Sequence, residues 1–220
     1  LNQSTKISEI SLTKRHSPIK WIKEFKMHAL VAKTFFPVYI SSTLLNMIES
    51  IYWIVAPLVV ITTAWSIEFG SLFLFSHELP AILVGWFIGK IIDKHSKKRV
   101  GFFALLGASL FMMLFFIIKD PVFLIMLSFL CACFTGIAWP AIKGAQADLV
   151  SEHKNFEQEI ELVQDTFTNL GFIIGPILAG FLSSRFGFLE TLGIIGVIIF
   201  IVSLLLLIFT PNQLFLKKKS

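Results

Sequence analysis

The sequence has little charge, almost no cysteine, and long stretches without a single cation. Only 15% of its 220 residues are charged against 55% hydrophobic, and the mean hydropathy is +0.80. That is too apolar for a water-soluble domain, and the length holds about six to eight membrane spans of ~20 residues each. The only cysteines, Cys131 and Cys133, stand two apart in an apolar run, so they face different sides of a helix. That spacing points to neither a disulfide framework nor a metal site, and buried small side chains are expected. No short apolar core with a small-residue cleavage site follows the basic N-terminal segment, so that segment is not a signal peptide. No nucleotide-binding loop is present, which argues against ATP coupling, and no cofactor is expected. His77-Glu78-Leu79-Pro80-Ala81 starts like a zinc-protease helix but lacks the second His at i+4 and contains Pro80. Without a nucleophile or metal constellation, the chain is not expected to be an enzyme.

What is present is a set of apolar runs between short polar joints. Residues 1–33 form the one sizeable polar region, with Lys6, Lys14, Arg15, Lys20, Lys23, Lys26 and Lys33. After Ser17-Pro18, residues Ile19, Ile22, Phe25 and Ala29 make one apolar face with Trp21 beside it, and lysines cover the rest. This is the pattern of an amphipathic helix at a membrane interface. Six spans follow, at about Phe35 to Ile61, Leu72 to Ile92, Val100 to Ile118, Pro121 to Lys143, Leu162 to Ser184 and Leu189 to Phe209. Asp120 suits a helix cap and Pro121 a first helical position. The expected organisation is a basic linker at 1–33, a six-helix transmembrane domain at 34–210 and a basic tail at 211–220.

The net charge of +5 follows the loops rather than forming a nucleic-acid-binding patch. With the N-terminal region inside, seventeen of the nineteen Lys and Arg lie on that side, and only Lys119 and Arg185 lie on the other. Loops that collect cations are cytoplasmic, so both termini are expected in the cytoplasm of a multi-pass protein of the cell membrane.

The stretch Gly85 to Arg99 joins the second and third spans. Gly85 and Gly89, four apart, lie on one face and let a partner helix come close. Asp93 then meets the water boundary, and Lys94, Lys97, Lys98 and Arg99 make a cationic turn. The run Gly-x-x-x-Asp-Lys-x-x-Lys-Lys resembles the signature loop of the major facilitator superfamily. Gly89, Asp93, Lys94, Lys97 and Lys98 match it, and Ser96 stands where the family has a second glycine. Trp139-Pro140-Ala141, Ala147-Asp148 and the run Asn169 to Gly180, with Gly171, Gly175, Pro176 and Gly180, are also similar to that family. Those glycines and the proline suit close packing and a local kink.

The resemblance implies an all-α membrane protein, a facilitator-type half built of two inverted three-helix repeats. Gly180, Ser184 and Arg185 echo Gly89, Asp93 and Lys94 at a constant offset of 91, on opposite sides of the membrane, as inverted repeats require. The family usually has two six-helix halves. With Leu at its first position and a linker-like basic segment, this chain is expected to be the second half, its partner the N-terminal six-helix half of the same protein. The implied function is secondary transport of a small-molecule substrate by alternating access. The alternative is a non-transporting membrane receptor or scaffold of the same fold.

Ionisable groups at membrane depth are the best guide to a substrate or proton pathway, because a charge at a helix centre costs about 2.5 to 3.5 kcal/mol. Glu49 lies near the middle of the first span, on one face with Ser42, Asn46 and Trp53. That stripe is expected to face a wet cavity. Glu49 suits uptake of a proton, binding of a cationic group, or a hydrogen bond to a polar neighbour. His77 and Glu78 are the next candidates. Helical geometry puts Glu78 on the Gly85 and Gly89 face, expected to meet packed protein, and His77 with Ala81 and Val84. The resemblance implies that Asp93 and its cations gate the transport cycle.

Overall fold

The computed structural model describes residues 18–63, 66–152 and 157–209, and every regular element among them is helical. The elements are α1 (Pro18–Thr62), α2 (Ile67–Lys94), α3 (Lys97–Met113) with a 3-10 turn at Leu114–Phe116, α4 (Pro121–Glu152), α5 (Glu157–Phe186) and α6 (Phe188–Phe209). Six of these helical stretches are long and apolar enough to cross a membrane, beginning at Phe36, Ile67, Lys97, Pro121, Ile160 and Phe188. α1 begins at Pro18, ahead of the first span at Phe36. The chain divides into two compact units after Phe35, and the side-chain contacts described fall in the second. The expected tail at 211–220 and the start of the linker at 1–17 lie outside the described residues.

Local chemistry explains where the helices stop. Asp120 caps α4, its Oδ1 accepting from the Val122 amide at 2.9 Å and the Phe123 amide at 3.2 Å. Ser66 accepts from the Phe69 amide at the start of α2. Gly187 ends α5 at φ +99°. Its amide bonds Ser183 O at 3.0 Å, a left-handed stop that glycine tolerates without strain.

The core is built from α1, α3, α4 and α6. Ile51, Val55, Leu105, Ala108, Leu124, Leu192, Ile195 and Ile199 are essentially sealed from the outside. α2 packs on α4, and α3 lies against both α4 and α6. α5 joins α1 along a seam of small residues. A Cβ on Gly175 would stand 2.7 Å from Ser50 Cβ and 2.9 Å from Met47 O, and Gly171 abuts the Thr43 carbonyl. Thr43 crosses the same seam, its hydroxyl donating to Phe167 O at 2.9 Å. Burial is uneven. Half of the α1 and α6 spans is buried, against 24% of α2 and 17% of α5.

The glycine face of α2 meets no neighbour among the described residues. Gly85 and Gly89 have nothing within 4 Å where a Cβ would stand, so among the described residues they have no packed partner. The buried face of α2 is the other one, Phe73, Pro80, Ile88 and Ile92. Small residues permit close approach without naming the helix that makes it. Gly180 likewise faces open space, and Pro176 is exposed.

Gly175→Ala is expected to destabilise the purified protein by about 1 to 3 kcal/mol through overpacking against α1. Gly180→Ala, with empty space around it, is expected to be neutral or slightly stabilising. Thermal melts in detergent check both, and equal melting temperatures for the two variants would refute the α1–α5 seam.

Candidate functional site

α1, α2 and α4 enclose a cavity of about 170 Å³ with its floor on Met112 of α3 and Ile199 of α6. Leu45, Ile48, Glu49 and Tyr52 line it from α1, His77 and Glu78 from α2, and Thr135, Gly136 and Trp139 from α4. Tyr52 holds the three helices in register. Its hydroxyl sits 3.0 Å from Ser128 Oγ on α4, and its ring stacks on His77 of α2 at 3.9 Å between centroids. Trp53 meets the same imidazole edge-on at 6.0 Å. His77 is therefore held by rings, and its Nδ1 is buried without a hydrogen-bond partner. Glu49 and Glu78 make no ion pair or hydrogen bond with any described residue.

The first-span stripe splits in two. Glu49 lines the cavity and Trp53 flanks it, whereas Ser42 and Asn46 are buried at 0% and 4% exposure and are not among its lining residues. Asn46 packs over Gly171 of α5 and spends its Nδ2 on Ser42 O at 2.7 Å. On α2 the helical faces are as the spacing predicts, but the packed and open ones are exchanged. His77 is the residue enclosed by rings, and Glu78 is exposed on the unburied Gly85 and Gly89 face while also bordering the cavity.

A second cavity, of about 540 Å³, lies between the end of α4 and the start of α5. Its walls are polar: Lys143, Gln146 and Ser151 face Glu157, Glu161, Gln164 and Asp165. Gln164 Nε2 donates to Gln146 Oε1 at 2.7 Å. The two cavities share one stripe of α4, since Gly136, Trp139, Lys143 and Gln146 follow helical spacing. Lys143 Nζ, at the second cavity, stands 5.9 Å from the centre of the Trp139 ring at the first, a cation over an aromatic face.

In the α2–α3 turn, Lys97 carries the contacts. Its Nζ donates to Gly144 O at 3.0 Å and to Asp148 Oδ2 at 2.6 Å, tying the turn to α4. Ser96 sits at φ −63°, a conformation any residue adopts, so serine in place of the signature's second glycine carries no strain. Lys98 is buried, while Lys94 and Arg99 are exposed. The side chain of Asp93 lies outside the described residues. At the opposite end of the bundle Lys119 pairs with Glu190 at 2.7 Å.

A family model of the Major Facilitator Superfamily matches residues 38–219. The chain belongs to the major facilitator superfamily. It is 28% identical over 150 residues to YfiS of Bacillus subtilis (strain 168), described as an uncharacterized MFS-type transporter. That match covers 68% of this chain and 35% of the relative, so the chain spans about a third of the relative's length. The chain is a multi-pass membrane protein, with six helices among the described residues long and apolar enough to span the bilayer.

Sequence reasoning missed Tyr52, Gln146 and Gln164, and it took Trp139 as part of a family-like segment without placing it at a cavity. Asp148 stood in a family-like segment, but its partner Lys97 is 51 positions away. A double-mutant cycle on Lys97→Ala and Asp148→Asn is expected to give a coupling of up to about 1 kcal/mol, since both side chains are partly exposed. Strict additivity in thermal melts would show that the tie contributes nothing.

Proposed function

We propose that the chain is the second six-helix half of a secondary active transporter, moving a small solute across the cell membrane by alternating access. The observation that carries this is the pair of carboxylates, Glu49 and Glu78, set without partners in a cavity among spanning helices. An ionisable group at that depth is costly and suits a solute or proton path. The other wall of the cavity comes from the N-terminal half of the same protein. Support for that partner lies in the exposure of α2 and α5 and in the empty space over Gly85 and Gly89. Those glycines would let a helix of the other half approach closely.

Glu49 couples transport to protons, taking one up when the cavity opens to the acidic side and releasing it on the other. Asp93, Lys94, Lys97, Lys98 and Arg99 form the gating loop at the cytoplasmic face, where both termini lie. The Lys97–Asp148 tie supports that role, because it holds the loop to α4 in one arrangement and must break if the two elements separate.

The test is uptake into proteoliposomes by the whole natural protein, from a panel of labelled solutes, with and without an inward proton gradient. The gradient is expected to raise uptake of the transported solute. Glu49→Gln is expected to slow uptake about tenfold, equal to roughly 1.4 kcal/mol, and to remove the response to the gradient. Ser42→Ala, at a buried helix contact, should change the rate less than twofold by the same measure. Full gradient-driven uptake by Glu49→Gln would sink the coupling role, and no uptake of any solute would leave the receptor or scaffold reading standing.

A further inference from the structure

The charge on the two cavities runs against the charge of the chain. Lys and Arg outnumber Asp and Glu by 19 to 14 overall. Yet among the described lining residues there are five carboxylates, Glu49 and Glu78 in the first cavity and Glu157, Glu161 and Asp165 in the second, against one ammonium, Lys143. Glu157, Glu161 and Asp165 are exposed to solvent, whereas Glu49 and Glu78 share a cavity among spanning helices, where like charges repel one another and a cation between them relieves that repulsion. The aromatic wall adds a second preference of the same sign. Trp139 lines the first cavity, and the face of an indole attracts a positive charge, while a face of Tyr52 is already taken by His77.

The structure also carries a cation of its own in this place. Lys143 Nζ lies over the Trp139 ring at 5.9 Å, on the α4 stripe common to both cavities. Gln146, 4% exposed, lines the second cavity with its Nε2 buried and unpartnered. Its own carbonyl oxygen is already taken by Gln164. That amide offers a donor to a ligand carrying a hydroxyl or carbonyl acceptor.

Resting on the transport reading above, we propose that the solute is an organic cation of the substituted-ammonium class. It lies between Glu49 and Glu78 against the Trp139 ring of the first cavity. Lys143 is its tethered competitor, occupying the Trp139 face when the solute is absent and giving way when it enters. The carboxylates of the second cavity and those of the first stand on either side of Lys143.

The experiment is calorimetric titration of the purified whole natural protein with three probes of similar size, benzyltrimethylammonium, benzyl alcohol and benzenesulfonate. The ammonium is expected to bind, and the neutral and anionic probes to bind at least about tenfold more weakly. Glu49→Gln and Glu78→Gln are each expected to weaken the ammonium about tenfold, while Lys143→Gln tightens it several-fold by removing the competitor. The Lys143 change is at an exposed side chain and moves affinity upward, a direction misfolding cannot imitate. Absence of ammonium binding, equal binding of the sulfonate, or affinity unmoved by the carboxylate changes would overturn the proposal. Uptake of the same probes into proteoliposomes separates the two claims. Ammonium that binds but does not cross keeps the cation site and removes transport, whereas gradient-driven uptake of only a neutral or anionic solute keeps transport and removes the cation.

Discussion

Hydrocarbon supplies no hydrogen-bond partner, and that constraint shapes every part of this bundle. The backbone answers it with helices. The short polar side chains answer it by turning back onto their own helix. Ser41 donates to Pro37 O at 2.8 Å, Ser76 to Phe73 O at 2.7 Å, Ser109 to Leu106 O at 2.7 Å and Ser203 to Phe200 O at 2.7 Å. A hydroxyl spent this way has no proton left to donate to a ligand. The informative groups are those that break the habit: the Tyr52 hydroxyl, shared with Ser128 across two helices, the unpartnered His77 Nδ1 and Gln146 Nε2, and the carboxylates of Glu49 and Glu78. These groups lie on the cavities or hold their walls in place, whereas Ser42 Oγ and Thr168 Oγ1 are buried without a partner outside the lining of either.

The same constraint separates two kinds of contact between helices. Where packing is tight it depends on small residues, as along the α1–α5 seam at Gly171 and Gly175. Where charge joins elements it does so at the ends of the bundle. Lys97 with Asp148 ties the α2–α3 turn to α4, and Lys119 with Glu190 ties the start of α4 to α6 at the other end. Charges at the ends are partly solvated and cheap to hold or release. Charges in the middle are expensive, so Glu49 and Glu78 stand out from the apolar helices around them.

Much of the architecture was legible in the residues. Each span is a local sum of hydropathy, and the cations within the six spans stand near their ends. The Asp120 cap is local as well, needing only a few neighbouring residues. Glu49, His77 and Glu78 were legible as candidates because an ionisable residue in an apolar run is conspicuous whatever surrounds it. The family was legible in the Gly89 to Lys98 loop, where the type and order of residues carry the signal.

Side-chain partners were not legible to the same degree, and α2 illustrates the reason. Helical periodicity correctly groups Glu78 with Gly85 and Gly89, and His77 with Val84, because the 100° turn per residue is a property of the helix alone. It cannot say which group is turned toward α1 and α4. That is decided by the sum of contacts Phe73, His77, Pro80 and Ile88 make with residues far away in the chain. Ser42 and Asn46 share a face with Glu49 in the same sense, yet close approach of α5 covers them and leaves Glu49 at the cavity. The sequence by itself determined the helices, their spans and the presence of costly charges, since these are sums over neighbours along the chain. Which charges meet, which face is sealed and where an acidic cavity forms in a basic chain belong to the tertiary structure, because each depends on groups brought together from separate helices.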